Sequence, residues 1–141
     1  YEDASAIHSL IKPYEIDGTL SFRGKLKIER DIKNFSVLEH DGVIYGCAGL
    51  LTNKDKNTGE LYCLIIHPNY QGKGEGGKML DYVEGEAKLK NLKKLLIKTT
   101  SAEHWFLKNG FEKSTDQLTD INALFEDNTR NSKILVKTLK N

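Results

Sequence analysis

Four glycines within seven residues, in the stretch Gln71-Gly72-Lys73-Gly74-Glu75-Gly76-Gly77, form the first feature of this sequence that could do chemistry. Where Cβ atoms are absent, backbone N–H groups can close on a ligand. Such a loop suits an anion, and a helix beginning near Gly76 would add its free N–H groups and the positive end of its dipole. Lys73 offers a counter-charge. A diphosphate held there would accept charge-assisted hydrogen bonds worth about 1.5–3 kcal/mol each. A glycine-rich turn alone also fits a purely structural role, so the spacing has to be tested. The P-loop pattern fails, because the Gly-Lys pairs at Gly24, Gly72 and Gly77 are followed by Leu26, Gly74 and Met79 rather than Ser or Thr. Gly72, Gly74 and Gly77 match GxGxxG, yet the loop falls mid-chain and Leu92 to Lys98 holds no acidic residue to meet a ribose.

The elements that must position this loop follow from periodicity. Ala4, Ile7, Leu10 and Ile11 predict a helix from Asp3 to Lys12 that Pro13 stops, and Leu26, Ile28 and Ile32 predict a second from Gly24 to Asn34. Phe35 to His40 and Val43 to Leu51 read as strands joined by Asp41-Gly42, a pair favoured in two-residue hairpin loops. Asn53 to Gly59 is polar and turn-like. Glu60 to Ile66 is a nearly continuous apolar strand, which implies burial on both faces, with Glu60 as the exception at its edge. Met79, Leu80, Val83 and Ala87 mark a helix reaching Lys90. Lys93 to Lys98 is another strand, Glu103 to Asn109 a short helix capped by Gly110, and Phe111 starts a strand again. Ser132 to Leu139 ends the chain as β structure. The layout is an α/β (α+β) domain with a central, mostly antiparallel sheet flanked by helices, and 1–141 is expected to be a single domain.

Composition narrows the function classes. Lys and Arg total 21 against 20 Asp and Glu in 141 residues, and the net charge of +1 gives no field to gather nucleic acid or anionic lipid. No run approaches the length of a membrane span, and no secretory signal is visible. Cys47 and Cys63 lie in apolar segments without zinc-site spacing, and read as two buried free thiols of a reducing cytosol, with a disulfide between them as the alternative.

Gln71-x-x-Gly74-x-Gly76, after a strand and opening a helix, resembles the Q/RxxGxG/A signature with which the GNAT superfamily of N-acetyltransferases holds the pyrophosphate of acetyl-CoA. Further segments, in order, are similar to the acetyltransferase domain of bacterial N-acetylglutamate synthases: Phe35 to Gly42, Gly46 to Leu50, Gly59 to Leu64, His67 to Tyr70, Thr99-Thr100, His104 to Phe106 with Gly110-Phe111, and Arg130 to Lys133. The likeness covers about Ile7 to Leu139. It implies acetyl transfer from acetyl-CoA to the α-amine of L-glutamate, the first step of arginine biosynthesis, in the cytoplasm. Many members carry an amino-acid-kinase-like domain ahead of this one; none is visible here, and the start at Tyr1 suggests a fragment or a short form.

An amine attacking a thioester needs a base, stabilisation of the oxyanion and a proton for the thiolate. By resemblance and position Glu60 is the candidate base, against a strand-edge charge facing solvent. The superfamily resemblance implies that Cys63, Leu64, Ile65 and Ile66 offer backbone N–H groups to the thioester and pantetheine, provided the strand splays there, and that Gln71, Gly72, Lys73, Gly74, Glu75, Gly76 and Gly77 hold the diphosphate. Where many relatives place a Tyr as general acid this chain has Phe106, so Thr99, Thr100, Ser101 or water must serve the thiolate. His67 fits turn packing better than catalysis. Glutamate carries two carboxylates, whose desolvation cations must offset. Arg130 and Ser132 match the family's substrate-binding Arg-x-Ser, and Arg23 and Lys25 a second basic segment. Lys88, Lys90, Lys93 and Lys94 read as a solvated face. Two other readings stay open: another amine acceptor, such as a polyamine or protein N-terminus, and a non-catalytic acetyl-CoA-binding regulatory module. A homodimer is also left open; nucleic acid, membrane and metal are not expected.

Overall fold

A computed structural model describes residues 3–16, 24–53, 55, 57–99, 102–113 and 133–139. Helices α1 (Ala4–Ile16) and α2 (Gly24–Arg30) lead into a hairpin, β1 (Phe35–His40) and β2 (Val43–Asn53). Asp41 and Gly42 both adopt positive φ, 50° and 79°, the geometry of a type I′ turn, and His40 pairs with Val43 across it. Strand β3 (Thr58–Ile66), helix α3 (Glu75–Leu89), strand β4 (Lys94–Thr99), helix α4 (Glu103–Lys108) and strands β5 (Glu112–Lys113) and β6 (Lys133–Thr138) follow. The sheet order is β1-β2-β3-β4-β6-β5, and β3 with β4 is its parallel pair. The expected mixed, mostly antiparallel sheet is what forms.

Each face of the sheet has its own core. Ile7, Ile11 and Ile28 of the N-terminal helices bury Cys47, Cys63 and Ile65 on one side. Met79, Leu80 and Val83 of α3 and Phe106 of α4 cover Leu50 and Leu61 on the other. Full burial of each such side chain stabilises by about 1.5–3 kcal/mol.

Three boundaries correct the sequence reading. Pro13 does not stop α1, which runs one turn further to Ile16. Pro13 has no N–H to donate, but Tyr14 beyond it packs against the core and repays that loss. The second helix ends at Arg30, and Ile32–Asn34 is a 3-10 turn that delivers the chain to the sheet edge. The third begins at Glu75, one residue early, because Gly74 takes the left-handed cap position at φ 80°. The Gly110 cap is as expected. Phe111 N–H donates to Phe106 O at 3.1 Å and Gly110 N–H to Leu107 O at 3.3 Å, and the rings of Phe106 and Phe111 meet at 5.3 Å.

Candidate active site

Strand β3 delivers the glycine loop to the N-terminus of α3. Gln71 does not reach into the loop; its Nε2 donates to Ile66 O at 2.8 Å and ties the loop to the end of the strand. Gly72 and Gly74 hold φ of 81° and 80°, and a Cβ at either, or at Gly77, would meet nothing within 4 Å. The first helical hydrogen bond is Lys78 N–H to Gly74 O at 3.2 Å. Among the described residues, the backbone N–H groups of residues 72–77 have no partner. A row of free donors at a helix N-terminus, facing open space, is what a diphosphate requires. The residues present therefore fit coenzyme A.

Glu75 sits inside this row, and its negative charge is turned aside. Its Oε2 accepts from the Tyr45 hydroxyl at 3.1 Å and its Oε1 lies 3.2 Å from Lys78 Nζ. The hydrogen bond from Lys78, and then that from Tyr45, hold the Glu75 carboxyl below its ordinary range. Desolvation, and then the Glu75 carboxylate, push the Tyr45 phenol up. Tyr45 stacks on Tyr70 with centroids 4.3 Å apart, and His67 meets the edge of Tyr70 at 6.0 Å. His67 Nδ1 accepts from Asn69 N–H at 3.1 Å, the turn-packing role expected of it. Trp105 of α4 completes the support, packed against Gly76 from the far side.

Beyond Glu60 the sheet forks. The parallel register of β3 with β4 runs from Thr58↔Lys94 to Glu60↔Leu96 and stops there, although β4 continues to pair with β6 as far as Thr99↔Lys133. Cys63 takes φ 53°, rare for a non-glycine residue, and the β2–β3 register shifts beside it between Cys47 and Gly49. This bulge turns Leu61 to Ile66 away from β4, the splay the sequence reading required. The side chains of Cys63, Ile65 and Ile66 are buried, so what this part of the strand can offer a ligand is its backbone. Cys47 Sγ donates to Cys63 O at 3.4 Å; both thiols are free, and desolvation pushes that of Cys47 up.

Glu60 is half-buried at the point where the strands part, in register with Leu51 and Leu96. Across the fork Thr99 is buried, its Oγ1 accepting from Ala102 N–H at 2.9 Å, so its hydroxyl proton can still be donated. Phe106 is core, in ring contact with Trp105 and Phe111. Lys25 is exposed at the start of α2 and pairs with Glu29 at 3.8 Å. Arg23, Thr100, Ser101, Arg130 and Ser132 lie outside the described residues. Lys88, Lys90, Lys93 and Lys94 are exposed, as expected. The described residues contain no cluster of His, Cys, Asp and Glu able to hold a metal, and no helix among them is long and apolar enough to cross a membrane. Sequence reasoning missed Tyr45 and the contact of Trp105 with Gly76. The polar tip of Tyr45 two residues from Cys47 was the available signal for the first.

The family described as Acetyltransferase (GNAT) domain matches residues 31–113, which include the loop, the fork and Glu60. The chain belongs to the GNAT acetyltransferases. The amino-acid acetyltransferase of Ralstonia nicotianae is 45% identical over 139 residues, 98% of this GNAT chain and 31% of that protein. That of Pseudomonas fluorescens is 40% identical over 139 residues, 98% of this chain and 32% of that protein. The crystal structure of N-acetylglutamate synthase from Neisseria gonorrhoeae complexed with coenzyme A and N-acetyl-glutamate matches with a TM-score of 0.89 at 33% identity, covering 100% of this chain and 34% of that one. This GNAT domain thus spans about a third of the length of these relatives.

Proposed function

We propose that this chain transfers the acetyl group of acetyl-CoA to the α-amine of L-glutamate. One observation carries the reading: the free N–H row of residues 72–77 opens beside a sheet fork whose apex is a carboxylate, Glu60. The relatives named amino-acid acetyltransferase, and the synthase solved with coenzyme A and N-acetyl-glutamate, support the choice of acceptor.

Acetyl-CoA supplies the electrophilic thioester carbon. The N–H row of residues 72–77 and Lys73 bind its diphosphate, and the backbone of Cys63 to Ile66 donates to the carbonyl oxygen as charge develops. Glu60 takes the proton from the substrate ammonium, directly or through one water, and frees the lone pair that attacks. Thr99, or Thr100, returns a proton to the departing thiolate. Arg130 and Ser132, with Arg23 and Lys25, hold the substrate carboxylates, the guanidinium through a forked pair of hydrogen bonds. The place of this reaction is the first step of arginine biosynthesis, in the cytoplasm, where both substrates are abundant.

The test combines calorimetric titration of acetyl-CoA with an assay of thiol release across a panel of amines. Binding with thiol release that depends on L-glutamate is the expected result. A polyamine or peptide N-terminus outrunning glutamate overturns the acceptor, and binding without turnover for any amine favours a regulatory module.

A further inference from the structure

We infer that Tyr45 is a positioning residue for coenzyme A: its hydroxyl holds the Glu75 carboxylate off the N–H row of residues 72–77, which that carboxylate would otherwise cap. The inference rests on the diphosphate reading above and deepens it. A carboxylate in the first turn of a helix is drawn to the free N–H groups and the positive dipole end there. Glu75 is the first residue of α3, yet the row stays open. Both of its oxygens are engaged elsewhere, Oε2 by the Tyr45 hydroxyl at 3.1 Å and Oε1 by Lys78 Nζ at 3.2 Å.

The two holders differ in what anchors them. Lys78 stands three residues on in the same helix, and its exposed side chain can follow the carboxylate wherever that swings. Tyr45 comes from β2, 30 residues away in sequence, and is fixed at both backbone and ring. Its carbonyl accepts from His67 N–H at 2.7 Å, where the chain leaves β3 for the glycine loop, and its ring stacks on Tyr70 at 4.3 Å. Tyr70 in turn packs against the core beneath α3. The sheet, acting through Tyr45, therefore sets where Glu75 points. Glu75 is held ionised and Tyr45 protonated, so acceptor and donor keep these roles near neutral pH. Freed from Tyr45, the carboxylate would compete with the diphosphate for the same N–H groups. Apparent affinity falls by the fraction of molecules whose row stays open, and a side-chain capping bond shifts that fraction by about fivefold.

The test is a double-mutant cycle of Tyr45→Phe and Glu75→Ala, read by calorimetric titration with acetyl-CoA. Tyr45→Phe keeps the ring on Tyr70 and removes only the hydroxyl. It should weaken acetyl-CoA binding about fivefold where Glu75 is present, and make no difference where Glu75→Ala has already removed the competing carboxylate. A merely structural tyrosine would not show that dependence on Glu75. Gly76→Val, which crowds the row itself, reports on the diphosphate reading alone: if it leaves affinity unchanged, that reading falls and this inference with it. If Gly76→Val weakens binding while Tyr45→Phe does not, only the inference is overturned. An equal loss from Tyr45→Phe in both backgrounds also overturns it, because Tyr45 would then act through packing and not through Glu75.

Discussion

Trp105 closes on Gly76: a methyl group added at Gly76 would lie 3.1 Å from Cζ2 of the indole, closer than ordinary van der Waals contact. The first turn of α3, which presents the free N–H row, is therefore braced by α4. Replacing Gly76 by Val forces the indole out and should weaken acetyl-CoA binding by at least about tenfold, the loss of one charge-assisted bond. Trp105→Ala removes the brace instead, and should cost about 3 kcal/mol of stability as well as affinity. Calorimetric titration and thermal unfolding of both variants check this; unchanged affinity in both would separate α4 from the loop.

Gly74 and Gly77 have equally open surroundings and differ in backbone, so they make a controlled pair. At Gly74 φ is 80°, and Gly74→Ala should lose about 1–2 kcal/mol from the left-handed conformation alone. Gly77 lies within the helix at ordinary φ, and Gly77→Ala should be neutral or stabilising by up to about 1 kcal/mol. Denaturant unfolding of the two variants gives the comparison directly.

Glu75 gives the fold a pH-dependent component. Its folded value lies below its ordinary value of 4.5, so its contribution is present in full above that value and is lost as pH falls through the lowered one. Glu75→Gln removes the component, and the stability difference between wild type and variant should shrink as pH falls from above 4.5 through the lowered value. Thermal unfolding of both proteins across that range measures it, and a constant difference would remove Glu75 from the acid limb.

Features encoded by a few neighbouring residues were readable from the chain alone. Asp41-Gly42 announced its turn because only small or Asx-type residues take two positive φ values in succession, and Gly110 announced its cap for the same reason. The loop from Gln71 to Gly77 was legible through its spacing. What escaped depends on partners distant in sequence. Pro13 reads as a stop until Tyr14 finds a core to join, and Trp105 reads as one more aromatic until α4 folds against α3. The fork needed a bulge at Cys63, a residue type that seldom takes φ 53° and so gives no local warning.

Opening the sheet between β3 and β4 rather than at its rim also protects the molecule from itself. Each of those strands keeps a partner on its outer side, so the gap offers backbone groups without presenting an edge along which another copy could slide and add a strand. A slender ligand can thread the cleft end-on, between two strands that each keep a partner on the side away from it. The interruption thus opens room for a narrow guest without stripping either strand of its outer partner.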